Sequence, residues 1–256
     1  MRVLTWNLWH GRSLPPARRA LVDEFATLIG GWDWDVALLQ EVPPWWPVTL
    51  ARSSRAHWCR ALTSRNALLP IRRLLATRWP NLIRSNGGGA NAILVRGEVV
   101  GYSSIRLRVR PERRVAQLAR LDDGACVVNF HGSARVALAE AELERLWSLA
   151  LAWAQEAPLI LAGDLNLRSP RAGAPDVLHV ARRDVDHIFA RGFEPCSEAE
   201  LLDRRAVLEQ GPVELSDHPP LAVSLRSAAH SREVVEAGEC GDEQQRAGGD
   251  ASGGDQ

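Results

Sequence analysis

Leu159-Ile160-Leu161-Ala162-Gly163-Asp164-Leu165-Asn166 decides how the rest of the chain is read. Bulky apolar residues and an Ala run into a Gly, a carboxylate, a spacer and a carboxamide, the pattern of a buried strand carrying polar side chains at its C-terminal end. Asp164 and Asn166 are two apart, so in extended chain both point to one side. Gly163 permits close approach of another backbone. The same residues also admit a plainer reading, in which Gly163-Asp164 ends the strand in a turn and Asn166 caps the next element. Partners elsewhere in the chain decide between the two.

Working outward, 256 residues with 46% hydrophobic and 24% charged content suit one large soluble domain. The formal net charge of zero conceals an asymmetry: residues 227–256 carry seven acidic residues and two Arg, which leaves the body near +5 and the tail near −5. That tail is acidic, Gly-rich and poor in bulky apolar residues, so residues 1–226 are expected to form the domain and 227–256 a disordered extension. Lysine is absent, and a genome-wide preference for Arg accounts for much of the Arg count. Cys59, Cys126, Cys196 and Cys240 lack the paired spacing of zinc or redox sites and are read as free thiols in a reducing compartment. The chain opens on strand-like Arg2-Val3-Leu4-Thr5-Trp6, and no apolar run approaches a membrane span. A cytoplasmic monomer is expected.

In chain order, residues 2–8 read as a strand and the apolar spacing from Ala17 to Ile29 as a helix stopped by Gly30-Gly31. Asp35 to Val42 is a second buried strand ending on a polar pair, Gln40-Glu41. Residues 43–90 read as a long irregular surface, with Pro43-Pro44-Trp45-Trp46-Pro47 a rigid loop, a helical stretch at 72–76 and a turn at 85–89. Trp45 and Trp46 either pack or stack on a substrate. Strand Asn91–Val95 comes next, then Ile105, Leu107 and Val109 alternate with Arg106, Arg108 and Arg110 as a sheet with one solvated face. Asp122-Asp123-Gly124 turns a hairpin between strands 115–121 and 126–130. A helix spans 134–155, a turn-rich loop 168–181, and strands 185–190 and 221–225 complete the domain.

The polar residues attached to these strand ends are Asn7, Glu41, Asn129, His131, Asp164, Asn166, Asp186, Asp217 and His218. Buried strands rarely carry so many unless these satisfy one another or a ligand. The pieces TWNLWHG (5–11), LLQEV (38–42), GGGANAILVR (87–96), VVNFHGS (127–133), LILAGDLN (159–166), VDHIF (185–189) and LSDHPPL (215–221) occur in an order that resembles the endonuclease/exonuclease/phosphatase superfamily of DNase I-like, metal-dependent phosphoesterases. The resemblance implies an α+β fold, a two-layer sandwich of mixed β-sheets flanked by helices, with the site where strands of both layers end.

It also implies roles. Glu41 would be the main ligand of Mg²⁺, or Mn²⁺, with Asn7 beside it and Asp217 a supporting residue or second metal ligand. Asp164 would orient or deprotonate water, and Asn166 would meet a phosphate oxygen. His218, its tautomer fixed by Asp186, would act as base or cationic clamp. His131 would be a phosphate donor or leaving-group acid, while Asn129 and Asn91 would contact phosphate; His187 reads as structural. The expected activity is divalent-metal-dependent phosphodiester hydrolysis with nuclease character. A phosphatase or phosphodiesterase of lipids or small phosphoesters, and a non-catalytic nucleic-acid-binding module, are the alternatives. The sole tyrosine, Tyr102, lies outside the matching pieces, so an abasic-site endonuclease role would need Asn91 in place of a tyrosine hydroxyl.

Overall fold

A computed structural model describes residues 1–64, 66–79 and 89–228. The strands are β1 (Arg2–Asn7), β2 (Ser13–Leu14), β3 (Val36–Val42), β4 (His57–Leu62), β5 (Ala90–Val95), β6 (Val99–Arg108), β7 (Arg114–Leu121) and β8 (Cys126–Asn129). Next in the chain are β9 (Leu159–Asp164), β10 (Leu178–Arg183), β11 (Asp186–Arg191), β12 (Phe193–Pro195), β13 (Glu200–Leu201), β14 (Arg205–Leu208), β15 (Gly211–Leu215) and β16 (Leu221–Ser227). The helices are α1 (Val22–Gly31), α2 (Pro47–Ser54), α3 (Leu69–Arg78) and α4 (Val136–Ala154), and Trp9–Gly11 forms a 3₁₀ turn. Most of the expected turn at 85–89, and the tail from 229 onward, lie outside the described residues.

Two mixed sheets face each other. One has the order β12-β16-β1-β3-β5-β4, with β13 also on β16; the other runs β10-β11-β9-β8-β7-β6. Parallel pairing occurs between β1 and β3 and between β8 and β9. Val3, Leu38 and Ile93 of the first sheet meet Val127, Ile160 and Ile188 of the second. On the first sheet's outer face, Leu4, Trp6 and Leu39 lie under Phe25 and Ile29 of α1 and Leu50 of α2. On the second, Val128, Leu161 and Phe189 lie under Leu143, Leu146 and Trp147 of α4. Central strands are therefore buried on both faces, which is why β3, β5 and β9 read as continuous apolar runs. Each fully buried large apolar side chain contributes about 1.5–3 kcal/mol. The α+β sandwich expected from the sequence is the observed architecture.

Several local expectations need correction. The first helix begins at Val22 and runs through Gly30 and Gly31. The stretch 43–90 contains α2, β4 and α3, with Pro47 in the first turn of α2, where its missing N–H costs nothing. Trp46 is 3% exposed and packs on Phe25 at 5.2 Å, so it is a core residue with no face for a substrate. Val109 is exposed and lies past the end of β6. Within the turn-rich 168–181 stretch, β10 begins at Leu178.

The connectivity collects polar strand ends at one edge. β1 and β3 run parallel and bring Asn7 opposite Gln40, next to Glu41. β16 is antiparallel to β1, so the segment before it, carrying His218, reaches the same edge. In the second sheet β9 ends on Asp164, and antiparallel pairing sets Asp186 of β11 directly opposite. Gly163 makes this end possible: at φ 149° a Cβ would lie 1.9 Å from the Phe130 carbonyl oxygen. We expect Gly163→Ala to lose about 3 kcal/mol or more of stability in chemical denaturation; a loss below about 1 kcal/mol would show that this backbone approach is not a constraint.

Candidate active site

Five non-glycine residues around this edge have positive φ: Trp9 (φ 46°), His10 (φ 55°), Glu41 (φ 50°), Asn166 (φ 54°) and Ser216 (φ 65°). Each such residue costs on the order of 1–3 kcal/mol, and such residues persist where surrounding contacts enforce them. At Glu41 the cause is visible. The β3–β5 ladder shifts register between Leu39 and Val42, which sends Gln40 into the interior and turns Glu41 toward the cleft.

The centre of the site is a row of three charged groups, one link a hydrogen bond and the other an ion pair. His218 Nδ1 lies 2.8 Å from Asp186 Oδ2, and His218 Nε2 lies 3.8 Å from Asp164 Oδ2. Asp164 is 2% exposed; it accepts from Asn7 Nδ2 at 2.8 Å and from the Asn166 backbone N–H at 3.0 Å. His218 is held along its backbone as well. Its carbonyl accepts from the Trp6 indole N–H at 2.8 Å, and its N–H donates to Ser216 Oγ at 3.1 Å. Ser216 Oγ in turn donates to the Asn7 carbonyl at 2.6 Å, closing a loop between the two motifs.

Beside this row, Glu41 faces two imidazoles. His10 Nε2 is 3.1 Å from Glu41 Oε2, and His131 Nε2 is 3.9 Å from Glu41 Oε1 and 3.6 Å from Asp164 Oδ2. Arg113 and Arg114 line the same cleft. The segment after His131 is pinned from behind: Glu142 of α4, 2% exposed, accepts from the Ser133 N–H at 2.9 Å and pairs with Arg108. Asn166 donates to the Gly132 carbonyl at 3.0 Å, so it ties this segment to the end of β9.

The structure thus brings Asn7, Glu41, His131, Asp164, Asn166, Asp186 and His218 together, with Asp217 at the rim, its Oδ1 4.0 Å from His218 Nε2. Two expected phosphate contacts are corrected. Asn129 is fully buried between the sheets, where its Oδ1 accepts from Gln40 and its Nδ2 faces the carbonyls of Leu39 and Ala92 and the Gln117 side chain. Asn91 is 1% exposed and donates to the Val115 carbonyl. Both stitch one sheet to the other beneath the site. His187 is fully buried against the Leu167 carbonyl and His179, and burial lowers its pKa to about 4. Sequence reasoning does not single out His10, Ser216 or Arg114. His10 and Ser216 lie inside the family-like motifs but in turns, and Arg114 is one Arg among many.

Burial, then the charges of Asp164 and Asp217, lift Glu41 to about 7. Burial and the Asp186 charge raise Asp164 to about 6 against the pull of His218 and the Asn7 bond. For His218, burial opposes the charge, yet the bond to Asp186 and the charges of Asp186, Asp164 and Asp217 outweigh it and raise the imidazolium to about 9. Asp186 Oδ1 is buried without a hydrogen-bond partner among the described residues. Crowded carboxylates of this kind call for a cation, and the oxygens of Glu41, Asn7 and Asp217 are the hard donors that Mg²⁺ or Mn²⁺ takes. Ligand atoms of Asp164, Asp186 and His218 also lie within 4.8 Å of one another. A histidine already bonded to a carboxylate and held protonated is a poor ligand, so the Glu41 side fits a cation better.

A two-sheet sandwich with carboxylates and imidazoles at its strand ends is the architecture of DNase I-like phosphoesterases. The chain belongs to the Endonuclease/Exonuclease/phosphatase family, whose profile matches residues 4–218 and whose members are phosphoester hydrolases. Its fold is similar to that of mannosyl-6-phosphatase from Bacteroides thetaiotaomicron (15% identity, TM-score 0.64, covering 88% of this chain and 99% of that one). It is likewise similar to TDP2 from Caenorhabditis elegans (15%, 0.64, 89% and 74%) and to a functionally unknown conserved protein from Enterococcus faecalis (16%, 0.62, 89% and 100%). No curated protein matches the chain in sequence. Among the described residues no helix is long and apolar enough to cross a membrane.

The shifts set a pH dependence for the metal-free protein. A group whose pKa rises on folding stabilises the chain fully below its unfolded value, and this stabilisation is lost as pH climbs through the folded value. Glu41 (4.5 to about 7) and His218 (6.5 to about 9) both take this course. His187, shifted down from 6.5 to about 4, loses its contribution only below that window. In EDTA the melting temperature is expected to fall from pH 7 to 9, and added Mg²⁺ to recover more at pH 8.5 than at pH 6. A melting temperature that rises over this range would contradict the charge assignment.

Proposed function

We propose that the chain is a divalent-metal-dependent phosphodiesterase with nuclease activity, working as a monomer in a reducing, cytoplasmic setting. The observation that supports this reading is the Asp186–His218–Asp164 row lying beside the carboxylate of Glu41, an arrangement suited to an acid–base pair next to a bound cation. Glu41, with Asn7 and Asp217, would hold Mg²⁺ or Mn²⁺. When bound, such a cation offsets the charge of the phosphate and acidifies coordinated water.

The chain's own residues supply the rest. Asp164, fixed by Asn7 and the Asn166 N–H, accepts a proton from the attacking water and aims its lone pair at phosphorus. His218, kept as imidazolium by Asp186, donates Nε2–H to a non-bridging oxygen that gains charge as the bond to the leaving oxygen breaks. Asn166 has a second amide proton, and His131 an N–H, for the same oxygens. Asp186 positions His218: with Nδ1 donating to the carboxylate, Nε2 is left to face the substrate.

The test is a panel of single-stranded, duplex and abasic DNA, RNA, phosphoinositides, a sugar phosphate and bis(p-nitrophenyl) phosphate, each with Mg²⁺, Mn²⁺ or EDTA. Diester hydrolysis that needs the cation is expected, and Asp164→Asn and His218→Ala should each lower kcat by at least about 10²-fold. Turnover that survives exhaustive chelation, or variants near wild type, would refute the mechanism. Hydrolysis of monoesters alone would move the protein to the phosphatase reading.

A further inference from the structure

The two sheets leave a seam open where their edge strands, β4 and β6, lie across from each other. It starts at the site: Thr63, Ser64 and Arg113 line the catalytic cleft, and Arg113 also lines the adjoining stretch of the seam. That stretch, about 260 Å³, is bordered by Arg60, Ser104 and Arg106. Farther along the same strands it widens to about 590 Å³ beside Trp58 and Tyr102. Arg106 and Arg113 form no ion pair among the described residues, and no carboxylate lines either stretch. Trp58 and Tyr102 expose 40% and 41% of their surface.

The order of these groups has a chemical meaning. Next to the cleft come Arg side chains able to track a phosphate backbone, and beyond them aromatic faces able to stack on bases. Exposed aromatic faces such as Trp58 and Tyr102 can stack on unpaired bases, whereas the bases of a duplex already stack on one another and present only their edges. We propose that this seam is the binding track for single-stranded nucleic acid leading away from the scissile phosphate, so that the substrate is a single strand or an unpaired end. The proposal rests on the phosphodiesterase reading, and it names the substrate class of that site.

Fluorescence anisotropy with a labelled oligothymidylate and a duplex of equal length, in EDTA over a range of salt, tests the track. Kinetics with bis(p-nitrophenyl) phosphate are measured alongside. The wild type should prefer the single strand. Arg106→Gln should weaken single-strand binding about fivefold and reduce the log–log salt slope by about 0.7. Trp58→Ala should weaken it about tenfold and leave the slope unchanged. Both variants should hydrolyse the small diester at the wild-type rate. Duplex preference, unaltered affinity and slope in both variants, or equal losses on the small diester would overturn the track. A wild type that binds the single strand through Arg106 yet hydrolyses no diester with any cation would keep the track and remove the hydrolase reading.

Discussion

Two buried carboxylates held opposite each other are the constraint on which the rest of this structure turns. Antiparallel pairing of β9 and β11 sets Asp164 against Asp186, each 2% exposed. Like charges about 4 Å apart repel by about 4 kcal/mol at an effective dielectric constant of 20, so the pair needs a counter-charge. His218 answers with one ring nitrogen toward each carboxylate, and the loop that delivers it is held by Trp6 and Ser216. Those holders belong to β1 and to the turn before β16, in the other sheet. The site therefore ties the two layers together as much as it sits between them.

The same edge carries other costs that only a packed surrounding can sustain. Glu41 and Asn166 keep left-handed backbones, and Gly163 accepts a carbonyl where any side chain would clash. Behind them Gln40, Asn129 and Gln117 form a buried amide network across the inter-sheet gap. The network cross-links the two layers behind the strand ends, although Gln40 Oε1 is buried without a hydrogen-bond partner among the described residues. Glu142, paired with Arg108 and capping Ser133, pins the segment carrying His131. The proposed catalytic groups accordingly stand at or next to strand ends that are tied together across the two sheets.

Much of the sandwich was legible because its central strands are buried on both faces and end abruptly in polar residues, as β1, β3 and β9 do. The same signal pointed to Glu41, Asp164, Asp186 and His218, which the structure brings to one edge. It misassigned Asn129 and Asn91, since a polar side chain at a strand end reads alike whether it faces the cleft or bridges two sheets. His10 went unnoticed because a turn with positive φ, which periodicity does not encode, aims it at Glu41. The region 43–78 stayed opaque for physical reasons: α2 is short and begins with proline, and β4 is an edge strand with little apolar alternation. Between residues 193 and 215 the strands are two to five residues long, too short for a pattern to form.

The central claim is that charge at this edge is divided, with the cation on the Glu41 side and the imidazolium on the Asp186 side. Calorimetric titration of Mn²⁺ into the wild type, Glu41→Gln and Asp186→Asn measures that division directly. Binding should be lost in Glu41→Gln and kept in Asp186→Asn. Binding that survives in Glu41→Gln and disappears in Asp186→Asn would put the cation among Asp164, Asp186 and His218, and would contradict the account.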